Sequence, residues 1–385
     1  MTTNSLNDGI RFVIFSGANE RAIIACCRHF SKNNINFSII SRPVNDIVLL
    51  SKYRKNIDSS RKSDSLLIDD MVCCVTELRY MYPSDNLIFL PTAESIIRIV
   101  LENKELLISK GLDIRLVSLD VYLNISDKRR FLNVAKEFNI DIPGEIVSPD
   151  VIDIPLVAKP KAEFSSKDKV KIYPKLIFNK NDLQEVLDSK YNDEYFFQSY
   201  LDGDSYYYLA FIFPDGKFNI AYQKNILQQG NGKSIIAAKL CECPDKEFED
   251  KIIKLLNSID FFGFIMIEVM QYKGITYLIE ANPRLWGPFD LALKAGFLPE
   301  NIFFQRETVM KYKNAKYIWL TGLIDSLSKN DNVRNYVNHK NRFFLVLSFL
   351  FSDFYLKFDT VGIFFYEFKK SIRNFFKVKY ERYKK

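Results

Sequence analysis

The stretch GFIMIEVMQYKGITYLIEANPRLWGP, residues 263–288, reads as a β-hairpin that carries chemistry on one face. Apolar and β-branched residues fill both arms, and Lys273-Gly274 between them has the residue types of a tight turn. Side chains alternate along a strand, so Glu280 and Asn282 point the same way and Arg284 extends their row. With the turn at Lys273-Gly274, Glu268 on the first arm comes nearly opposite Glu280, within side-chain reach across the ladder. Two carboxylates and an amide then converge. Hard oxygen ligands of this kind suit Mg²⁺, which takes one or two carboxylates and fills its other positions with water and phosphate oxygens. A solvated strand face with incidental charges is the bland alternative, and the opposed acids weigh against it.

Outward from the hairpin, strands and helices alternate. Upstream, YYYLAFIFPDGKFNIAYQKN (206–225) reads as a second hairpin turning at Pro214-Asp215-Gly216, and EYFFQSYLDGD (194–204) as a strand running into a turn. PLVAKP (155–160) is a strand followed by a lysine-rich loop. SDKRRFLNVAKEFNIDIPGEIV (126–147) opens with Ser126 and Asp127 as candidate caps and has Phe131, Leu132, Val134, Ala135 and Phe138 at helical spacing. Nearer the N-terminus, IRFVIFS (10–16), INFSII (35–40), NLIFLP (86–91) and IRLVS (114–118) read as strands. Helices are expected up to Lys32, over 64–81 and over 92–111. This order predicts an α/β fold whose N-terminal part is a parallel sheet covered on both faces. SGANE (16–20) has one glycine and no GxGxxG, so a plain strand-to-helix turn is favoured over a dinucleotide loop.

The hairpin 263–288 resembles the metal-binding hairpin of the ATP-grasp superfamily, especially its carbamoyl-phosphate-synthase-like and carboxylate–amine ligase branches. Upstream segments resemble the rest of that fold in the right order, over about residues 10–300. The resemblance implies a Rossmann-like domain at 1–105, an ATP-grasp domain at 106–310 with an ATP lid at 155–200, and a helical extension with a basic amphipathic tail at 311–385. It implies ATP and Mg²⁺, with Mn²⁺ as the alternative metal, held by Glu268, Glu280 and Asn282. Lys128 and Lys159 would contact phosphate. Gln198, Ser199, Tyr200 and Leu201 would meet adenine through the backbone, with Asp204 just beyond in the nucleotide site. Arg284 would hold an acceptor carboxylate, and Lys224 would meet the transferring phosphate unless it is only a solvated strand end. Trp286 and Gly287 would shape the acceptor pocket, a buried structural tryptophan being the equal alternative.

The implied reaction activates a small-molecule carboxylate as an acyl phosphate and joins it to an amine. Another ATP-grasp reaction, of the carbamoyl-phosphate-synthase or small-molecule-kinase type, and a nucleotide-binding scaffold without turnover are the alternatives. The chain departs from the family in the loop KAEFSSKDKVKIYPK (161–175), which has no glycine to bring backbone N–H groups to phosphate. Ser165, Ser166, Lys167 or Lys169 would have to supply donors instead.

Composition fits this reading. With only His29 and His339, Ser-His-Asp chemistry is not expected, and ATP-grasp positioning needs none. Cys26, Cys27, Cys73, Cys74, Cys241 and Cys243 lack zinc-site spacing and are expected to be reduced, as in a cytoplasmic protein. No leader-like apolar segment opens the chain. The net charge is +7, and residues 369–385, with eight Lys/Arg and one Glu, account for all of it. The body is therefore balanced, and no nucleic-acid partner is expected.

FFLVLSFLF (343–351) is far shorter than the ~20 residues needed to span a bilayer and is expected to be buried. Helical spacing puts Phe365, Phe368, Ile372, Phe375 and Phe376 on one face of the tail and Glu367, Lys369, Lys370, Arg373, Asn374 and Lys377 on the other. Docking of this helix on the body is expected, with peripheral contact at an anionic inner-membrane surface as the alternative.

Overall fold

β-branched and aromatic residues set up the first sheet. This computed structural model describes residues 9–161, 165–168, 170, 172–230, 234–303, 314–327 and 349–383. It begins with β1 (Ile10–Phe15), α1 (Glu20–Lys32), β2 (Phe37–Ser41), β3 (Ile57–Ser60), α2 (Ile68–Met81) and β4 (Asn86–Phe89). Next come α3 (Glu94–Glu102), α4 (Lys104–Ser109) and β5 (Leu112–Asp113). The strands form a parallel sheet in the order β3-β2-β1-β4-β5. Every residue of β2 is buried, as a parallel strand covered on both faces requires.

Two expectations are corrected here. The helix expected over 92–111 is split at Asn103, whose φ of −124° is not helical and whose side-chain amide donates to Ile99 O at 2.9 Å. The expected strand 114–118 does not pair; Leu112–Asp113 pairs with β4 instead. Ser118 is already the N-cap of the next helix, so the chain must turn there. The first sheet thus reaches Asp113, past residue 105.

α5 (Leu119–Ser126) and α6 (Lys128–Glu137) follow. Asp127 caps α6 by accepting from Arg130 N at 2.8 Å, while Ser126 closes α5. A small antiparallel sheet in the order β6-β9-β7-β8 is made of β6 (Glu145–Ile146), β7 (Leu156–Pro160), β8 (Lys175–Ile177) and β9 (Tyr195–Ser199), with α7 (Lys180–Leu187) against it. It has a separate core of Leu156, Ala158, Ile177, Leu183, Val186 and Phe197.

The third sheet contains β10 (Asp204–Ile212), β11 (Phe218–Gln228), β12 (Ile235–Cys241), β13 (Gly263–Tyr272) and β14 (Ile275–Asn282). α8 (Lys246–Ser258) precedes β13; α9 (Phe289–Lys294), α10 (Pro299–Phe303), β15 (Lys316–Ile318) and α11 (Leu320–Leu327) follow β14. The order is β14-β13-β10-β11-β12-β15, antiparallel. The segment after residue 311, expected to be helical, therefore also contributes a strand.

Alternation places this sheet between two cores. Tyr207, Leu209, Phe211, Phe264 and Met266 pack on one face with α1 and Trp286. Tyr208, Ala210, Ile265 and Ile267 pack on the other face with α6 and α8.

The C-terminal helix, Val361–Tyr383, docks on the body. Ile363 and Phe364 are buried, Ser371 Oγ donates to Thr321 O at 3.1 Å, and Glu367 accepts from Trp319 Nε1 at 3.0 Å. The expected faces are revised: Glu367 and Asn374 lie on the docked side because they have polar partners there, while Phe365 and Phe376 face outward with the lysines. Residues 343–348 of the expected buried segment, and His339, lie outside the described residues. No helix among the described residues is long and apolar enough to cross a membrane. All six cysteines are free, and His29 Nε2 meets the Glu300 carboxylate at 2.8 Å, a structural contact.

Candidate functional site

The hairpin β13–β14 closes at Lys273-Gly274, both with positive φ (50° and 80°), the backbone of a two-residue turn that glycine favours. Near the turn the register is regular, pairing Met270 with Tyr277 and Val269 with Leu278. A bulge then leaves Ile279 without a partner, and Glu268 pairs with Glu280. Asn282 Nδ2 donates to Glu280 Oε1 at 2.8 Å.

Two lysines come to this pair from other elements. Lys128, the first residue of α6, ion-pairs with Glu280. Lys159, on β7 of the small sheet, donates to the bulged carbonyl, Ile279 O, at 3.0 Å. Lys159, Glu268 and Asn282 are buried. In place of the solvated strand face, the bland alternative, there is a largely buried cluster of two carboxylates and two ammonium groups.

The electrostatics follow. Burial pushes the Glu268 carboxyl up, and the nearby Glu280 charge adds to this. Burial acts the same way on Glu280, but the ion pair with Lys128 outweighs it and holds Glu280 below the usual carboxylate range. Burial, then Lys128, brings Lys159 down to about 8.

Register also shows what the sequence reading missed. Tyr207 on β10 stands opposite Glu268, and Gln223 on β11 stands opposite Tyr207, so the three share one face. Gln223 is fully buried; its amide donates to Asn225 Oδ1 at 2.7 Å, and its Oε1 has no partner among the described residues. Counting across the two hairpins identifies this row, since directly paired residues lie on the same side.

The same count corrects Lys224. It pairs in register with Tyr206, points to the opposite face, and is held by Asp204 at 2.6 Å. The structure therefore brings neither Lys224 nor Asp204 to the carboxylates. Arg284 does adjoin them, donating to Asn282 Oδ1 at 3.3 Å and to Leu285 O at 2.9 Å. Trp286 is buried in the core with Phe289 and Phe297, a structural role.

The N-terminal sheet is tied to this end of the hairpin. Asn19 Nδ2 donates to Thr92 O at 2.7 Å and to Leu285 O at 3.0 Å. SGANE is thus a turn that fastens the first sheet to the site.

Of the expected adenine contacts, Ser199 N already donates to Gly144 O at 2.9 Å and Tyr200 N to Pro155 O at 3.4 Å. The Gln198 side chain is buried, with Oε1 unpartnered among the described residues, and the Tyr200 ring meets Phe178 at 5.2 Å. Leu201 follows in the turn before β10. In the glycine-free loop, Ser165 Oγ and Ser166 N bind the Glu194 carboxylate at 2.7 and 2.9 Å, and Lys167 binds Asp193 at 2.6 Å. These expected phosphate donors are committed elsewhere; Lys169 lies outside the described residues.

The donor set fits Mg²⁺. Two carboxylates and an amide oxygen match the few protein ligands that ion takes, and the orphaned Gln223 Oε1 leaves a polar acceptor in the same row. Among the described residues no group of three or more His, Cys, Asp or Glu gathers, which a softer metal cage would need.

No protein-family model and no curated protein matches the chain. Solved structures do. The biotin carboxylase domain of Hydrogenobacter thermophilus 2-oxoglutarate carboxylase, solved with MgADP, ADP and bicarbonate, is similar at TM-score 0.56 and 13% identity, covering 76% of this chain and 68% of that one. The L-amino acid ligase from Bacillus licheniformis is similar at TM-score 0.52 and 12% identity, covering 75% and 70%. N5-carboxyaminoimidazole ribonucleotide synthetase from Thermus thermophilus is similar at TM-score 0.56 and 10% identity, covering 79% and 81%. The chain shares the fold of these proteins.

Proposed function

We propose that the chain is an ATP-dependent ligase that activates a carboxylate and joins it to an amine. The observation that carries this reading is the meeting of Glu268, Glu280 and Asn282 with Lys128 and Lys159 from two other elements. Mg-ATP, when bound, supplies the phosphoryl group that makes a carboxylate oxygen displaceable, so that an amine expels phosphate and leaves an amide.

The chain's own residues position and balance charge. Glu268, Glu280 and Asn282 would hold Mg²⁺, or Mn²⁺ in its place. Lys128 and Lys159, now paired with hairpin oxygens, would turn to phosphate oxygens as the metal takes over the carboxylates. Neither lysine has to be drawn out of water, because both already lie in the cluster, and such preorganised charge costs little at the moment of reaction. Backbone groups of Gln198 to Leu201 would meet adenine between the small sheet and β10. Arg284 would hold the acceptor carboxylate beside Asn282, and Gln223 would orient the group that reaches Glu268.

One observation favours a second reading, a nucleotide-binding scaffold that does not turn over. Ser165, Ser166 and Lys167 are bound to Glu194 and Asp193, leaving the phosphates fewer donors from the lid. The deciding experiment measures ADP and phosphate release with Mg-ATP over a panel of carboxylates and amines. Release that requires one acid and one amine together is the ligase. Tight Mg-ATP binding with no release across the panel is the scaffold.

A further inference from the structure

The docked C-terminal helix leaves one face exposed. Its inner side is satisfied: Ile363, Phe364 and Ser371 are buried, and Glu367 is bound to Trp319 and Thr321. Its outer side, from 361 to 377, exposes Lys369, Lys370, Arg373 and Lys377 together with Phe365, Tyr366 and Phe376. At 100° per residue these seven fall on one continuous arc. Glu367 is the sole acid in that span, and it faces inward, so the arc is purely cationic.

An apolar stripe runs along the edge of the arc. Phe358, just before the helix, is 92% exposed, Phe365 and Phe376 are each 61% exposed, and Val361 is 40% exposed. The start of the helix is fixed beneath this stripe. A side chain at Gly362 would come within 2.4 Å of Leu50 O, and Asp359 binds Arg28 at 2.8 Å. The stripe is therefore held outward by the fold.

We infer that this face is a peripheral docking surface for an anionic membrane, with Phe358, Phe365 and Phe376 entering the headgroup boundary and Lys369, Lys370, Arg373 and Lys377 meeting lipid phosphates. Charge complementarity selects the occupant. The excess charge of the whole chain, +7, lies within residues 369–385. A second copy of the chain would set these cations against each other. A nucleic-acid duplex would match the charge but leave the phenylalanine stripe in water. A surface with anionic headgroups over an apolar interior matches both parts. The inference does not depend on the reaction.

The test sediments the full chain with vesicles of phosphatidylcholine alone and with added phosphatidylglycerol, at low and high salt. Expected is strong pelleting with the anionic vesicles at low salt only. Phe365→Ser/Phe376→Ser and Lys369→Glu/Arg373→Glu should each lower it by about tenfold or more, since each basic residue adds on the order of fivefold to such binding. Melting temperatures should stay near wild type, because these side chains face solvent. Equal pelleting with neutral and anionic vesicles overturns the inference. So does wild-type pelleting by both folded variants, or retention of a single-stranded oligonucleotide without vesicle binding.

Discussion

Glu268 and Glu280 stand opposite each other because Ile279 is bulged out of the ladder between them and the turn. Continued from Val269–Leu278, the regular register would pair Glu268 with Ile279 and send Glu280 to the other side of the sheet. One unpaired residue corrects this and turns the Ile279 carbonyl toward Lys159 at 3.0 Å. A single irregularity thus fixes both carboxylates and the lysine beside them.

Lys159 should matter for nucleotide affinity. A charge-assisted hydrogen bond to phosphate is worth roughly 1.5–3 kcal/mol, so Lys159→Ala should weaken Mg-ATP binding by about tenfold or more. Calorimetric titration reads this directly. Unchanged affinity would mean that Lys159 only supports the bulge.

Metal binding should depend on pH with a definite sign. Burial and Glu280 hold the Glu268 carboxyl above its ordinary value of 4.5, so without a metal it keeps a proton that the unfolded chain releases. Through this group the metal-free fold loses stability as pH rises above 4.5. Mg²⁺ needs the carboxylate and must displace that proton, so its affinity should rise with pH over the same window. Titration in two buffers of different ionisation enthalpy should show proton release, and none with Glu268→Gln.

The joint between the N-terminal domain and the C-terminal helix should carry much of the stability. Asp359 accepts from Arg28 Nε at 2.8 Å and from the Tyr53 hydroxyl at 2.5 Å. Burial alone would raise Asp359, but these bonds outweigh it and hold it below 3.8. Asp359→Ala should cost about 2–4 kcal/mol at neutral pH by leaving Arg28 half-buried and underpaired. A depressed carboxyl stabilises above its ordinary pKa, so the difference from wild type should shrink as pH falls below 3.8. Denaturant melts at the two pH values check both points.

The hairpin was legible in the sequence because turn chemistry and alternation are local. Lys273-Gly274 and the spacing of Glu280 and Asn282 needed only neighbours along the chain. The bulge at Ile279 was not legible, since no local residue marks it and the partner of its carbonyl, Lys159, lies far away in sequence. Lys224 was misplaced for a different reason, since its register was countable from the turn at Pro214-Asp215-Gly216. A charged residue near the right strand is easy to see, but its side of the sheet follows only from the register of β10 with β11. The tail shows the limit of wheel patterns: Glu367 and Asn374 looked solvent-facing until Trp319 and Asp325 supplied partners.

Gln223 and Lys224, on opposite sides of the sheet, should differ in their effect on turnover. Gln223→Leu keeps the volume and removes the free acceptor beside Tyr207 and Glu268, and should lower kcat/KM by about tenfold or more. Lys224→Ala, on the opposite face, should change it by less than about threefold. The reverse order, seen in steady-state assays on the substrates that the panel identifies, would show that the catalytic side of the sheet has been misassigned.

The central claim is that Glu268 and Glu280 make this fold a magnesium–nucleotide site. The direct measurement is calorimetric binding of a non-hydrolysable ATP analogue with and without Mg²⁺, for the wild type and for Glu268→Gln/Glu280→Gln. Magnesium should strengthen wild-type binding by about tenfold or more, and the double variant should bind weakly and equally with or without it. A double variant that stays folded and keeps the full magnesium dependence would contradict the account.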